Sequence, residues 1–110
     1  MMRAGMTFLA LAAALAWTAT GAAADIDAGK AKAAEVCETC HGAGGNSTSQ
    51  DFPKLGGQYP DYLAKALRDY KSGDRKNPIM AGFAKPLSKQ DIENLAAYYA
   101  AQPPAVSFKP

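Results

Sequence analysis

Two cysteines and a histidine stand close together in this sequence, in the order Cys37-Glu38-Thr39-Cys40-His41. The spacing C-x-x-C-H is typical of covalent haem attachment. Two thiols three positions apart can each add to a vinyl group of one porphyrin, and the adjacent imidazole can then serve as an axial ligand of the iron. The motif therefore predicts one covalently attached haem, held by Cys37 and Cys40, with His41 as an iron ligand.

Other uses of paired cysteines fit this sequence less well. A thioredoxin-like redox motif needs a βαβ context, and the sequence pattern does not indicate one. A structural zinc site would need a second pair of ligands, which this sequence lacks. A disulfide is common in oxidising compartments, but the two-residue spacing and the adjacent histidine favour haem.

The inventory of possible ligands narrows the choice for the second axial position of the iron. His41 is the only histidine in the sequence, so two-histidine ligation from this sequence is excluded. Met80 follows Asn77-Pro78-Ile79 in a predicted loop, and the other methionines are Met1, Met2 and Met6, in a segment that we expect to be removed. We expect Met80 to be the sixth ligand. A lysine, a tyrosine, an open position and a simple space-filling role for this methionine are the alternatives.

The N-terminal segment has the composition of a secretory signal. One early charge, Arg3, precedes an apolar stretch within residues 7–17 that is about ten residues long. This stretch is too short to span a bilayer, which needs about 20 residues. Small residues follow, so we predict a cleaved signal peptide over residues 1–24, one domain over residues 25–110 and a periplasmic location. An uncleaved N-terminal anchor is the alternative.

The predicted domain is small for a chain that has no covalent or metal staple. Removing 24 of the 110 residues leaves 86, without the only Trp, and domains of this size commonly need a bound group to complete a core. Without Arg3, 11 of the 12 basic residues remain against 10 acidic ones, which excludes a broadly basic nucleic-acid-binding surface. We expect a monomer with no transmembrane segment after removal of the signal.

Basic residues are concentrated between positions 65 and 85, where only Asp69 and Asp74 oppose them. The basic residues are Lys65, Arg68, Lys71, Arg75, Lys76 and Lys85. A solvated face is the usual meaning of such a run. The alternative is a docking rim that attracts an acidic redox partner.

Three helices are predicted, joined by long loops. A first helix over residues 27–37 opens with Asp27 as a capping residue. A second helix, over residues 60–72, begins at a proline and ends before a glycine, and a third begins after Ser88 as N-cap and ends before the prolines at 103 and 104. Apolar residues recur at helical spacing in the last two: Leu63, Ala66, Leu67, Tyr70, Ile92, Leu95, Ala96 and Tyr99. The fold class is therefore all-α, with a loop predicted over residues 74–87.

Taken together, these features resemble the class I cytochrome c family over essentially the whole of residues 25–110. The sequence is most similar to small bacterial mono-haem cytochromes and to a single domain of the tandem di-haem cytochrome c4 family. Beyond the haem motif, the resemblance rests on Phe52-Pro53-Lys54-Leu55, residues 62–73, Asn77-Pro78-Ile79-Met80 and Leu95-Ala96-Ala97-Tyr98-Tyr99.

The resemblance implies the class I cytochrome c fold, in which three or more short helices and long loops surround one haem. It also implies that the carbonyl of Pro53 accepts the Nδ1–H of His41, which fixes the ring. Leu55 is expected to pack against the porphyrin. The first and last helices are expected to cross near Gly29, with Leu95 and Tyr98 on the facing side.

The function implied is that of a one-electron carrier rather than an enzyme, with a low-spin haem ligated by histidine and methionine. The expected partners are a donor dehydrogenase or cytochrome complex and an acceptor oxidase or reductase, in a respiratory or related electron-transfer chain. One alternative is a haem c subunit of a larger oxidoreductase. Another is a haem ligand sensor or peroxidase with a displaceable Met80. A peroxidase, however, would need distal acid and base groups such as a second histidine, which this sequence lacks.

Overall fold

The structure is a computed structural model that describes residues 23–106, together with residues 5, 10 and 12–14. Most of the predicted signal segment over residues 1–24 lies outside the described residues. Within the described part there are five α-helices, one 3₁₀ turn at Ala43–Gly45 and no strand, which confirms the all-α class. The helices are α1 (Ile26–Val36), α2 (Glu38–His41), α3 (Pro60–Ser72), α4 (Pro78–Ala84) and α5 (Lys89–Ala100). None of the helices in these described ranges is long and apolar enough to cross a membrane.

Helix α1 begins before its predicted start. Asp25 is the N-cap, and its carboxylate accepts a hydrogen bond from the backbone N–H of Ala28 at 3.1 Å. Asp27 lies instead in the first turn, so the prediction that it caps the helix is wrong. Both residues are of a type that favours a helix N-terminus, and the extended backbone and side-chain hydrogen bond of Asp25 distinguish the cap from the first turn.

The starts of α3 and α5 are as predicted. Helix α3 begins at Pro60 and ends before Gly73, whose φ of 89° is readily adopted by glycine. At the start of α5, the Ser88 hydroxyl accepts a hydrogen bond from the Asp91 N–H, and the Asp91 carboxylate accepts one from the Ser88 N–H, both at 3.0 Å. This reciprocal pair is a capping box, and the bond from the Ser88 backbone lowers the pKa of Asp91.

Helix α4 occupies part of the segment predicted to be a loop, so that prediction is wrong for residues 78–84. The Asn77 side chain accepts hydrogen bonds from the N–H groups of Ile79 and Met80, at 3.1 and 3.0 Å. Pro78 stands at the first helical position, where its missing N–H costs nothing. A polar cap followed by a proline starts a short helix here, although the segment is too short to show a helical apolar stripe.

The core forms where α1 and α3 pack against α5. Helix α1 crosses α5 at Gly29: a Cβ atom there would lie 2.1 Å from the Asn94 carbonyl oxygen and 2.9 Å from Tyr98 Cβ. The expected crossing near Gly29 is confirmed, and it requires a residue without a side chain. The buried core consists of Ala33, Leu63, Ala64, Leu87, Ile92, Leu95, Ala96, Tyr98 and Tyr99.

Candidate functional site

A large open cavity lies beside this core. Its walls come from the end of α1, from α2, from the loop before α3, and from α3, α4 and α5. Its volume is about 280 Å³, it opens to solvent, and most of its lining is apolar. All six residues singled out from the sequence line it: Cys37, Cys40, His41, Pro53, Leu55 and Met80. A cavity with apolar walls and a few converging polar groups is typical of a ligand site.

The cysteine motif lies at the junction of α1 and α2. Cys37 ends α1, and its carbonyl accepts a hydrogen bond from the His41 N–H at 3.0 Å, which closes the single turn of α2. Both thiols are half-buried and free, so no disulfide joins them. Burial raises the pKa of the Cys37 thiol. The turn thus presents two uncombined thiols and an imidazole to the same cavity.

The His41 ring is buried and fixed in orientation. Its Nδ1 lies 2.8 Å from the carbonyl oxygen of Pro53. Because a carbonyl can only accept, Nδ1 carries the proton and Nε2 keeps its lone pair for a metal. The chain after Pro53 is anchored in turn, because the Leu55 N–H donates to the Gly45 carbonyl at 2.8 Å. This arrangement is typical of a histidine that ligates a metal and is oriented through its other nitrogen.

Met80 lines the cavity from the first turn of α4 and is half-buried. The Asn77 cap fixes the backbone at this position. At the other end of α4, the Lys71 ammonium on α3 donates to the carbonyl oxygens of Lys85, at 3.1 Å, and of Leu87. A short helix held at both ends therefore carries the only thioether among the described residues.

The residues of the cavity fit a covalently attached haem. Two free thiols at the C-x-x-C spacing, an imidazole nitrogen with an available lone pair and a thioether all border one apolar space. Within the part of the chain that the structure describes, no three His, Cys, Asp or Glu side chains are grouped as a metal cluster would need. The donor set therefore matches a porphyrin iron better than a metal ion held by protein ligands alone.

The basic residues between positions 65 and 85 are largely engaged with local partners. Arg75 lies 4.8 Å over the Tyr70 ring, and Lys71 is bound to carbonyl groups. Two exposed ion pairs join Lys65 to Asp69 and Arg68 to Glu93. Exposed pairs of this kind contribute about 0–1 kcal/mol. These interactions favour the interpretation that the basic residues form a solvated face rather than a docking rim.

One cavity residue was not identified from the sequence. Tyr99 belongs to the predicted apolar stripe of α5, but its hydroxyl is buried and lacks a hydrogen-bond partner among the described residues. A phenol in a core stripe is a sequence feature that could have drawn attention to it, because buried tyrosines usually pair their hydroxyl groups.

Comparison with known proteins places these observations in a family. The family model described as "Cytochrome C oxidase, cbb3-type, subunit III" matches residues 24–98. Cytochrome c4 from Thiocapsa roseopersicina is 51% identical over 79 residues, which are 72% of this chain and 41% of that protein. Cytochrome c-554(548) from Halomonas halodenitrificans is 37% identical over 83 residues, which are 73% of this chain and 99% of that protein.

A solved structure gives the same result for the fold. The crystal structure of reduced recombinant cytochrome c4 from Pseudomonas stutzeri superimposes with a TM-score of 0.69 and 46% sequence identity, over 74% of this chain and 47% of that one. The expected class I cytochrome fold is thus confirmed. The chain spans less than half the length of the curated cytochromes c4 that it matches.

Proposed function

This chain belongs to the cytochrome c family, and from that premise we propose that it carries one electron at a time between redox proteins. Family membership brings with it a covalently bound haem c with its iron. The observation that carries the proposal is the meeting of Cys37, Cys40, His41 and Met80 at one apolar cavity. The thiols are the attachment points that we propose, and the imidazole and the thioether are the two iron ligands.

The ligand assignment is supported by how each side chain is held. The hydrogen bond from His41 Nδ1 to Pro53 fixes the imidazole and leaves its other nitrogen free to bind iron. Met80 is the thioether that the described part of the chain offers to the cavity, and its backbone is fixed by the Asn77 cap. Leu55 is half-buried in the cavity wall, where we propose that it packs against the porphyrin.

A carrier must change oxidation state without large movements of its ligands. When bound, the haem supplies the iron that gains and loses one electron. The hydrogen-bonded His41 and the short helix that carries Met80 can keep the same positions in both oxidation states. The apolar lining disfavours additional positive charge, and a thioether ligand favours ferrous iron, so both raise the reduction potential.

We propose a periplasmic location for the protein, after removal of residues 1–24 as a signal peptide. The early charge, the apolar stretch and the small residues that follow support this processing. The donor that we propose is a dehydrogenase or cytochrome complex, the acceptor is an oxidase or reductase, and the carrier acts as a monomer.

The second candidate function is that of a haem c subunit in a larger oxidoreductase. It is favoured by the description of the matched family, which names a subunit of an oxidase. Purification of the natural protein under mild conditions separates the two candidates. A free carrier elutes alone, whereas a subunit elutes with its partner chains.

The ligand proposal is tested by replacing Met80 with Ala. The variant should keep its haem, because Cys37 and Cys40 are unchanged, and it should bind carbon monoxide at the opened position. Its reduction potential should fall because the thioether is lost. Absorption spectra of the reduced protein with and without carbon monoxide, together with a redox titration, measure both effects.

Ile79→Ala is the matched control, because Ile79 precedes Met80 on α4 and lines the same cavity without offering a ligand atom. This variant should resist carbon monoxide as the wild type does. A Met80→Ala protein that kept its potential and its resistance to carbon monoxide would show that another side chain ligates the iron. Extraction of free haem from the wild type by acidified organic solvent would disprove covalent attachment itself.

A further inference from the structure

Tyr99 presents an unexplained polar group in the core. The residue is 3% exposed, and its hydroxyl oxygen is inaccessible and has no hydrogen-bond partner among the described residues. Its ring is confined on two sides. A Cβ atom on Gly45 would lie 2.9 Å from Tyr99 Cδ1, and the Tyr98 ring centroid lies 5.1 Å away. The phenol cannot easily turn to find another partner, and a buried polar group without one is costly.

One polar group within interaction range of the Tyr99 hydroxyl is the thiol of Cys37. Cys37 packs against the core cluster that contains Tyr99, and both residues line the haem cavity. Burial raises the pKa of both groups, and the proximity of the thiol raises the pKa of Tyr99 further. The phenol is therefore protonated at neutral pH and able to donate. The two groups are close enough to perturb each other's pKa, although the hydroxyl makes no hydrogen bond of ordinary length and angle among the described residues.

Haem attachment changes what the sulfur can do. When the Cys37 thiol adds to a vinyl group, the S–H bond and the C=C π bond are replaced by one C–S bond and one C–H bond. No electrons are gained or lost overall, so no oxidant or reductant is needed. The thiol can donate or accept a hydrogen bond, whereas the thioether that replaces it can only accept.

We propose that Tyr99 donates its hydroxyl hydrogen to the Cys37 sulfur once that sulfur is the thioether of the attached haem. Tyr99 is then a positioning residue, which joins α5 to the point where the cofactor is bonded to the end of α1. The bond withdraws electron density from the sulfur and provides the buried hydroxyl with a partner. This inference rests on the proposed function, because it requires covalent haem at Cys37.

The bond is tested by resonance Raman spectroscopy of the holoprotein, in the C–S stretching region. After full exchange into D₂O, the wild type should show a shifted C–S band, because the donor becomes O–D. In Tyr99→Phe the band should lie at a different frequency and should not respond to D₂O. Tyr98→Phe is the matched control, since it removes a hydroxyl from the adjacent residue, which does not line the cavity formed by the described residues. That control should behave as the wild type does.

The melting temperature of Tyr99→Phe is a second test. It should shift in opposite directions depending on whether the hydroxyl donates to the sulfur or has no partner. If the hydroxyl donates to the sulfur, Tyr99→Phe should melt at a lower temperature than the wild type. If the hydroxyl stays without a partner, its removal should raise the melting temperature. A higher melting temperature, or a wild-type C–S band that is insensitive to D₂O, would overturn the proposal. The wild-type Raman comparison decides the matter even if the Phe variant does not fold.

The failure of this inference is distinguishable from the failure of the proposed function. Acidified organic solvent is applied to the wild type before the Raman measurement. Haem that is extracted shows that no thioether exists, which overturns both proposals. If the haem stays on the chain and the C–S band does not shift in D₂O, only the proposed role of Tyr99 is overturned.

Discussion

Gly29→Ala is expected to destabilise the protein by about 2 kcal/mol. The added Cβ atom would lie 2.1 Å from the Asn94 carbonyl oxygen and 2.6 Å from its carbonyl carbon. Overpacking commonly costs about 1–3 kcal/mol, and the upper value applies here because the obstacle is backbone rather than a flexible side chain. Replacing glycine by alanine inside a helix stabilises the folded state by about 1 kcal/mol, so the net destabilisation is about 2 kcal/mol.

The measurement is thermal unfolding of the holoprotein, followed by circular dichroism. For a domain of this size, a change of 1 kcal/mol corresponds to about 4–8 °C in Tm, so the expected fall is about 8–16 °C. Gly82→Ala is the matched control. Gly82 is an exposed glycine within α4, and a Cβ atom there would meet nothing within 4 Å. This second variant should gain up to about 1 kcal/mol.

The two alanine variants make the same chemical change in two helices, so their difference isolates the close approach of α1 and α5. Equal increases in Tm for both variants would refute the reasoning, because they would show that the helices can separate at Gly29 without cost. The absorption spectrum should be recorded before each melt, because the comparison requires that both variants hold the haem in the same ligation state.

Three further predictions concern the hydrogen bonds of α5 and the contribution of the haem to stability. Asn94→Ala removes the acceptor of bonds from the Asp25 N–H, at 2.8 Å, and from Gln90 Nε2, at 2.7 Å. It should destabilise the protein by about 1–3 kcal/mol in urea unfolding, and an unchanged midpoint would contradict this. The folded-state pKa of Asp91 is lowered, so its ionised carboxylate stabilises the protein at neutral pH, and this contribution disappears as the pH falls through that folded-state pKa. Asp91→Asn should therefore melt below the wild type at pH 7 and approach it in strong acid; a gap that widened in acid would oppose the capping box. Haem-free protein should show much less helix by circular dichroism than the holoprotein, and full native helix content without haem would contradict this.

The sequence predicted α3 and α5 well because their determinants are local. Helix α3 begins at Pro60 and ends before Gly73, and the capping box of Ser88 and Asp91 starts α5. Each of these start and stop signals lies at the end of its own helix, so it is visible in a short stretch of sequence. The predicted stripe of α5 is buried. In α3 only Leu63 of the predicted stripe is buried, and Ala66, Leu67 and Tyr70 are half-buried in the cavity wall.

Helix α4 was missed because most of what holds it lies outside its own residues. Its seven residues are too few for a recognisable period. Lys71, on a different helix, binds the carbonyl groups of Lys85 and Leu87 just beyond its end. Only the Asn77 cap and the following proline were local indications, and they were compatible with a rigid turn as well.

The candidate site was largely predictable because it depends on residue types that occur rarely in this chain. One C-x-x-C-H motif, one histidine and one methionine outside the N-terminal segment leave few possible arrangements. The hydrogen bond between Asp25 and Asn94 joins residues 69 positions apart, and no pattern in the sequence indicates it. The environment of the Tyr99 hydroxyl could not be predicted for the same reason, since it depends on how α5 packs against the end of α1.

The proposed haem cavity and the hydrophobic core share several residues, and this explains why folding should depend on the cofactor. Five of the nine core residues also line the cavity: Leu63, Leu87, Leu95, Ala96 and Tyr99. Without haem, one side of these residues faces an open space rather than a packed neighbour, and the dispersion attraction missing on that side is not recovered elsewhere. Only the other four core residues keep their full packing, and a core so weakened is poorly able to offset the conformational entropy of the chain. The attachment that we propose at Cys37 and Cys40 should therefore stabilise the fold as well as serve electron transfer, because it would hold the missing half of the core in place.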